Sequence, residues 1–169
     1  MYNSIYKLVD WKEFSRQPLS EHQIECYSEY VDWKLISKHQ KLSESFIEKH
    51  KDQVDWILIS QHQELSEPFI LNHSNRVAWY WISRRNTITL SESFIEQFQD
   101  KLDWFWICQY QKLSELFIER HRDQVYWVKI FRYQKLSENF KQKLQAEVAQ
   151  YGRYAQYVGY PCDFSGNGK

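Results

Sequence analysis

The segment VDWKLISKHQKLSESFIEKHKDQ, from Val31 to Gln53, is followed without a break by VDWILISQHQELSEPFILNHSNR. Self-similarity at so short a period makes each copy a small supersecondary unit that cannot bury an apolar side alone and must stack on its neighbour. The words Leu-Ser-Glu begin at Leu19, Leu42, Leu65, Leu90, Leu113 and Leu136, in steps of 23, 23, 25, 23 and 23 residues. The matching tryptophans are Trp11, Trp33, Trp56, Trp79, Trp104 and Trp127. Six repeats follow, at about 9–30, 31–53, 54–76, 77–101, 102–124 and 125–147, with 148–169 as a cap and tail of the same domain. The first repeat is one residue short and the fourth two residues long, and both changes fall between Ile-Ser and Leu-Ser-Glu, which marks that stretch as a loop.

Each repeat reads as two short helices. In the second repeat Asp32 is an N-cap, with Trp33, Ile36, Ser37 and Gln40 following at helical spacing, and Val31 and Ile36 form a hydrophobic staple. Ser43 caps the next helix, Glu44 sits in its first turn against the dipole, and Leu42 staples to Ile47. Pro68 falls in a first turn, where its missing N–H costs nothing. Two helices of two to three turns are marginal alone, so the expected fold is all-α: an α-solenoid of six stacked helical hairpins. The end repeats carry polar residues in apolar columns, Gln23 in the phenylalanine column and Lys141 in the isoleucine column, as exposed ends require. Phe140, Leu144, Val148, Tyr151 and Ala155 continue one stripe, which predicts a longer C-terminal capping helix. The tail GYPCDFSGNGK reads as a turn-rich end. A leucine-rich repeat is excluded because its L-x-x-L-x-L and Asn or Cys ladder are missing.

The words V-D-W-x-x-I-S-x-x-Q-x-L-S-E-x-F-I-E resemble short α-helical tandem repeats encoded by tailed phages and giant DNA viruses, over about residues 9–147. The resemblance implies a helical solenoid of viral origin. It brings no catalytic residues with it.

Three columns invite chemistry. His50, His73 and His121 share one position, but Tyr27, Phe98 and Leu144 hold it in other repeats, so a planar buried filler with one hydrogen bond is favoured over a metal ligand. His39 and His62 form a second column continued by Tyr110 and Tyr133, read either as a metal site or as an exposed aromatic ladder. The Leu-Ser-Glu glutamates, and cations such as Lys38, Arg84 and Arg132 late in first helices, fit the helix dipole. Together they predict one acidic and one basic edge. Ser37, Ser60, Ser83 and Cys108 occupy one column where small size suits close helix contact, and the tryptophans are expected in the core. No Gly-x-Ser-x-Gly, phosphate loop, zinc-ligand pairing or His-Glu-x-x-His occurs, so no catalytic residue, metal or cofactor is expected.

What varies between repeats is expected to bind. Arg84, Arg85 and Asn86 precede the insertion in the fourth repeat. Trp81 and Trp106 replace Leu35 and Leu58, beside Tyr80, Phe105 and Tyr110. Either these rings make a bulkier core, or they mark an interface, since aromatics and arginine dominate hot spots. The expected partner-binding residues are Tyr80, Arg84, Arg85, Asn86, Tyr110, Arg132 and Tyr133, with Arg85 and Tyr110 free of any capping role. The 22 Lys+Arg balance 22 Asp+Glu, which weakens the case for a polyanion or a membrane surface. The expectation is a non-enzymatic protein-binding module, and, if the viral resemblance holds, one that inhibits a host defence component. The alternative is nucleic-acid or nucleotide binding on exposed aromatics beside Arg84, Arg85 and Arg132. The start of the chain shows no secretory segment, no apolar run suits a membrane span, and the cysteines are three and far apart, which together predict a cytoplasmic protein, in the host cytoplasm if viral.

Overall fold

A computed structural model describes residues 8–151. Among them are twelve α-helices and no strand. The first helices of the six repeats are α1 (Trp11–Arg16), α3 (Trp33–His39), α5 (Trp56–His62), α7 (Trp79–Arg84), α9 (Trp104–Tyr110) and α11 (Trp127–Tyr133). The second helices are α2 (Glu21–Cys26), α4 (Glu44–Lys49), α6 (Glu67–Asn72), α8 (Glu92–Gln97), α10 (Glu115–Arg120) and α12 (Glu138–Tyr151). The helical-repeat architecture is the expected one. The helices are shorter than expected, because six or seven residues make just under two turns. The exception is α12, with 14 residues. The expected run of this helix to Ala155, the GYPCDFSGNGK tail and Cys162 lie outside the described residues.

The caps explain why such short helices start where they do. Asp32 accepts from the Lys34 and Leu35 N–H groups, and Ser43 accepts from Phe46 N–H. Asp10, Asp55 and Asp103, and Ser20, Ser66, Ser91 and Ser114, do the same in their repeats. Ala78 and Tyr126 stand in the aspartate column of the fourth and sixth repeats and give no side-chain cap. At the other end, the carbonyl of His50 accepts from both Gln53 N–H and Val54 N–H, turning the chain into the next repeat.

The apolar centre is two columns of isoleucine, not the tryptophans. Ile36, Ile59, Ile82, Ile107 and Ile130, with Ile24, Ile47, Ile70, Ile95 and Ile118, are all 0% exposed. Of the six repeat tryptophans only Trp127 is fully inside; the other five are half-buried. The indole N–H groups bond to the backbone in either setting: buried Trp127 Nε1 donates to Arg122 O, as half-buried Trp33 Nε1 donates to Ser28 O and Trp56 Nε1 to Lys51 O. Each of the latter two rings packs on its own hairpin. There it lies 6.4 and 6.2 Å from Phe46 and Phe69, respectively.

The repeats are tied together by buried polar side chains. Gln63 Nε2 donates to Ser37 O and Gln40 O, and its Oε1 accepts from Leu42 N–H, all in the preceding repeat. Ser37 Oγ donates to Trp33 O and accepts from Asp55 N–H of the following repeat. Glu44 Oε1 accepts from Ser66 N–H at 2.6 Å, so the glutamate of one Leu-Ser-Glu holds the serine of the next. The first repeat has no preceding copy, and there Gln23 Oε1 takes the Ser20 N–H instead. That is the role of a glutamine in the phenylalanine column. Buried amides and hydroxyls therefore find their partners across the repeat boundary, as burial demands.

The chain divides into two compact units, one ending at Ile88 and the other beginning at Thr89. In the first, α1 stacks on α3, α3 on α5 and α5 on α7; in the second, α9 stacks on α11. The second unit repeats the same ties: Gln134 Nε2 donates to Cys108 O and Gln111 O, and Glu92 and Glu115 accept from Ser114 and Ser137 N–H.

Candidate functional site

The departure in the fourth repeat builds a site in the first unit. The two extra residues displace the loop, and Ile88 turns inward to 5% exposure. Arg85 then does the work of the glutamine column. Its Nη1 donates to Gln63 O and, at 3.4 Å, to Ser60 O. These are the carbonyls that correspond, one repeat on, to those held by Gln63. Its Nε and Nη2 donate to Thr87 Oγ1 at 3.2 and 2.9 Å. The guanidinium is half-buried, and burial lowers its pKa against the opposing pull of Glu64. Arg85 was expected to be free of structural duty; it is instead a tie between repeats. The available signal was Asn86, which stands where Gln40 and Gln63 stand in the preceding repeats and is one methylene shorter, just before the two-residue insertion.

Around this tie lies an open groove of about 330 Å³, lined by Gln61, His62, Trp81, Arg84, Arg85, Asn86 and Thr87. Arg84 is exposed. Its Nη1 donates to the Tyr80 hydroxyl at 3.3 Å, and its guanidinium lies 5.5 Å from the Trp81 ring and 5.9 Å from that of Tyr80. Tyr80, 47% exposed, meets Trp81 edge-on at 5.2 Å. Burial depresses the pKa of His62, helped by the charges of Lys38, Arg85 and His39. The structure thus brings Tyr80, Arg84, Arg85 and Asn86 together at one rim. Tyr110, Arg132 and Tyr133 belong to the second unit. Tyr110 lies parallel to Trp106 at 5.7 Å and is half-buried, while Arg132 sits 5.6 Å over the exposed ring of Tyr133.

The two histidine columns differ in setting. His50, His73 and His121 are buried, at 7%, 6% and 8% exposure. The His50 ring lies 4.8 Å from Trp33 and 4.5 Å from Phe46, and its Nε2 is 2.7 Å from Glu25 Oε2 of the preceding repeat. His73 Nε2 stands 2.6 Å from Glu48 Oε2, an ion-pair distance without a well-aligned hydrogen bond. His39 and His62 are both exposed, on a shallow cavity of about 420 Å³ that also takes in Lys38 and Glu64. Among the described residues no three His, Cys, Asp or Glu side chains are grouped to hold a metal ion. The Cys108 thiol replaces a serine tie and accepts from Tyr126 N–H; burial pushes its pKa up to about 11.

The helices separate charge. The first helices carry Lys12, Arg16, Lys34, Lys38, Arg84, Lys129 and Arg132 against Glu13 alone. The second helices α2 to α10 carry nine glutamates against Lys49 and Arg120. No helix among the described residues is long and apolar enough to cross a membrane. Comparison of the chain with protein-family models, curated proteins and solved structures finds no match to any of them.

Proposed function

We propose that this chain is a non-enzymatic, protein-binding repeat module that engages partners through the outward sides of its first helices, in each unit separately. One observation carries the reading. The isoleucine, glutamine, serine and glutamate columns are consumed by holding repeat to repeat, whereas the outward positions of the first helices change from repeat to repeat and gather aromatics and cations. In the first unit these are Tyr80, Trp81 and Arg84, with Asn86 at the groove. In the second they are Tyr110, Arg132 and Tyr133. Aromatic and arginine side chains bury large area at modest entropic cost, which is why they anchor interfaces. The narrower reading, a viral protein acting on a host defence component in the host cytoplasm, is supported by the resemblance of the repeat words alone.

The test is affinity capture from a lysate with the purified chain as bait, before and after nuclease. A stoichiometric protein that survives nuclease, and is lost with Tyr80→Ala combined with Arg84→Glu, is expected. Recovery of nucleic acid in its place, with binding that collapses as salt rises, would establish the alternative reading.

A further inference from the structure

In the second unit, α9 and α11 read WFWICQY and WVKIFRY, without a single carboxylate. Their outward side holds Lys129 and Arg132. Several other cations of this unit are paired: Arg120 with Glu96, Arg122 with Glu119, Lys143 with Glu119 and Lys141 with Glu138. Among the described residues neither Lys129 nor Arg132 has a carboxylate within 4.0 Å. Lys129 Nζ lies instead 4.0 Å from the centre of the Phe105 ring and 5.3 Å from that of Tyr133, with Gln109 Oε1 at 2.7 Å. Beside these charges the surface is apolar. Val128 is 55% exposed, Tyr126 50% and Tyr133 42%.

We propose that this surface receives an acidic, amphipathic segment of a partner protein, whose carboxylates meet Lys129 and Arg132 and whose Leu- or Phe-type side chains cover Val128, Tyr126 and Tyr133. The inference rests on the protein-binding reading above and names the chemistry of the partner. Charge complementarity carries it. Two cations without counter-charge, set among exposed apolar side chains, are matched by a ligand that supplies both carboxylates and apolar area. The rings nearest Lys129 suit a nucleic acid poorly, although Tyr126 and Tyr133 are exposed. Base stacking needs open ring faces. One face of Trp106 is covered by parallel Tyr110, and Lys129 occupies a face of Phe105, which turns its edge to Trp106 at 89°. Val128 offers a base nothing to stack on.

The probe is a fluorescently labelled synthetic helical peptide with Glu and Asp on one face and Leu and Phe on the other. Its anisotropy is followed as the full chain is added. Saturable binding is expected, weakened about tenfold or more by Lys129→Glu and by Arg132→Glu, each checked for native helicity by circular dichroism. Because Arg132 is exposed, its variant keeps the test valid if Lys129→Glu misfolds. The same peptide with Gln for every Glu and Asp is expected to bind at least about tenfold more weakly. Failure of the peptide to bind, equal binding of the Gln version, or preference for an oligo-dT probe over the peptide overturns the proposal. Concentration-dependent self-association that blocks the peptide and disappears with Arg132→Glu also overturns it, because the occupant is then a second copy. A captured partner that depends on Tyr80 and Arg84 while the peptide fails leaves the protein-binding reading standing and removes only this one.

Discussion

The third and fourth repeats open with the same tryptophan and the same Ile-Ser, yet they are held by different chemistry. In the third, Asp55 caps α5 and Gln63 ties it to the second repeat through two donated bonds and one accepted bond. In the fourth, Ala78 gives α7 no cap and Arg85 supplies the donated bonds. Arginine has no acceptor, so it cannot repeat the bond that Gln63 accepts from Leu42 N–H. Outward, Ile57 and Leu58 become Tyr80 and Trp81. The fourth repeat has given up part of its regular bonding where the groove and the exposed aromatics appear. Apolar burial keeps the hairpin in place while the polar ties are rewired, which is how a repeat scaffold changes its surface without changing its fold.

The largest expected effect probes what the two repeats share. Ile59→Ala and Ile82→Ala each empty a fully buried position, and each should cost about 2–5 kcal/mol in urea unfolding. Equal losses support a common apolar centre; a mild Ile82→Ala would mean that the fourth repeat is loosely packed. Next comes the tie. Gln63→Ala strands two buried carbonyls and an N–H and should cost about 2–3 kcal/mol. Smaller again are the caps. Asp55→Ala should lose about 1 kcal/mol, while Ala78→Asp should gain up to a similar amount, because the new carboxylate supplies the side-chain cap that α7 lacks. A neutral Ala78→Asp would show that the fourth repeat's start differs from the third in more than its cap.

The smallest effect is acidic. The Glu48 pKa is lowered, first by its hydrogen bond to Lys51 and then by His73, against the cost of burial. A carboxylate whose folded pKa is depressed contributes stability in full above its ordinary value and loses it as pH falls through the depressed one. The melting temperature should therefore drop on acidification below about pH 4.5, and Glu48→Gln should flatten part of that drop. One repeat on, the corresponding positions are Leu71 and Phe98, which do not titrate. Placing Gln at Leu71 should leave the acid profile unaltered.

Local features were legible in the sequence, and features that cross a repeat boundary were not. Ser43 and Asp32 could be read as caps because a cap needs only its own first turn. The isoleucine columns and the histidine fillers followed from periodicity. The tryptophans were expected in the core and five of the six are half-buried, because hydrophobicity alone does not say how far into a short hairpin so large a ring is carried. Glu44 was read as a dipole partner; its bond to Ser66 N–H spans 22 residues and has no local signature. Arg85 was misjudged for the same reason, since its acceptors sit in the preceding repeat.

Arg84 and Arg85 test the account most directly. They are adjacent and identical in type, and by this structure one faces outward over Tyr80 and Trp81 while the other ties two repeats. Urea unfolding of Arg84→Ala and Arg85→Ala, measured side by side, should show a loss of about 1.5–3 kcal/mol for Arg85, whose removal leaves half-buried carbonyls unpaired. Arg84 should lose no more than about 0.5–1 kcal/mol, the worth of an exposed cation–ring contact. Equal losses, or a larger one for Arg84, would contradict the division between positions that hold the repeats together and positions that face a partner.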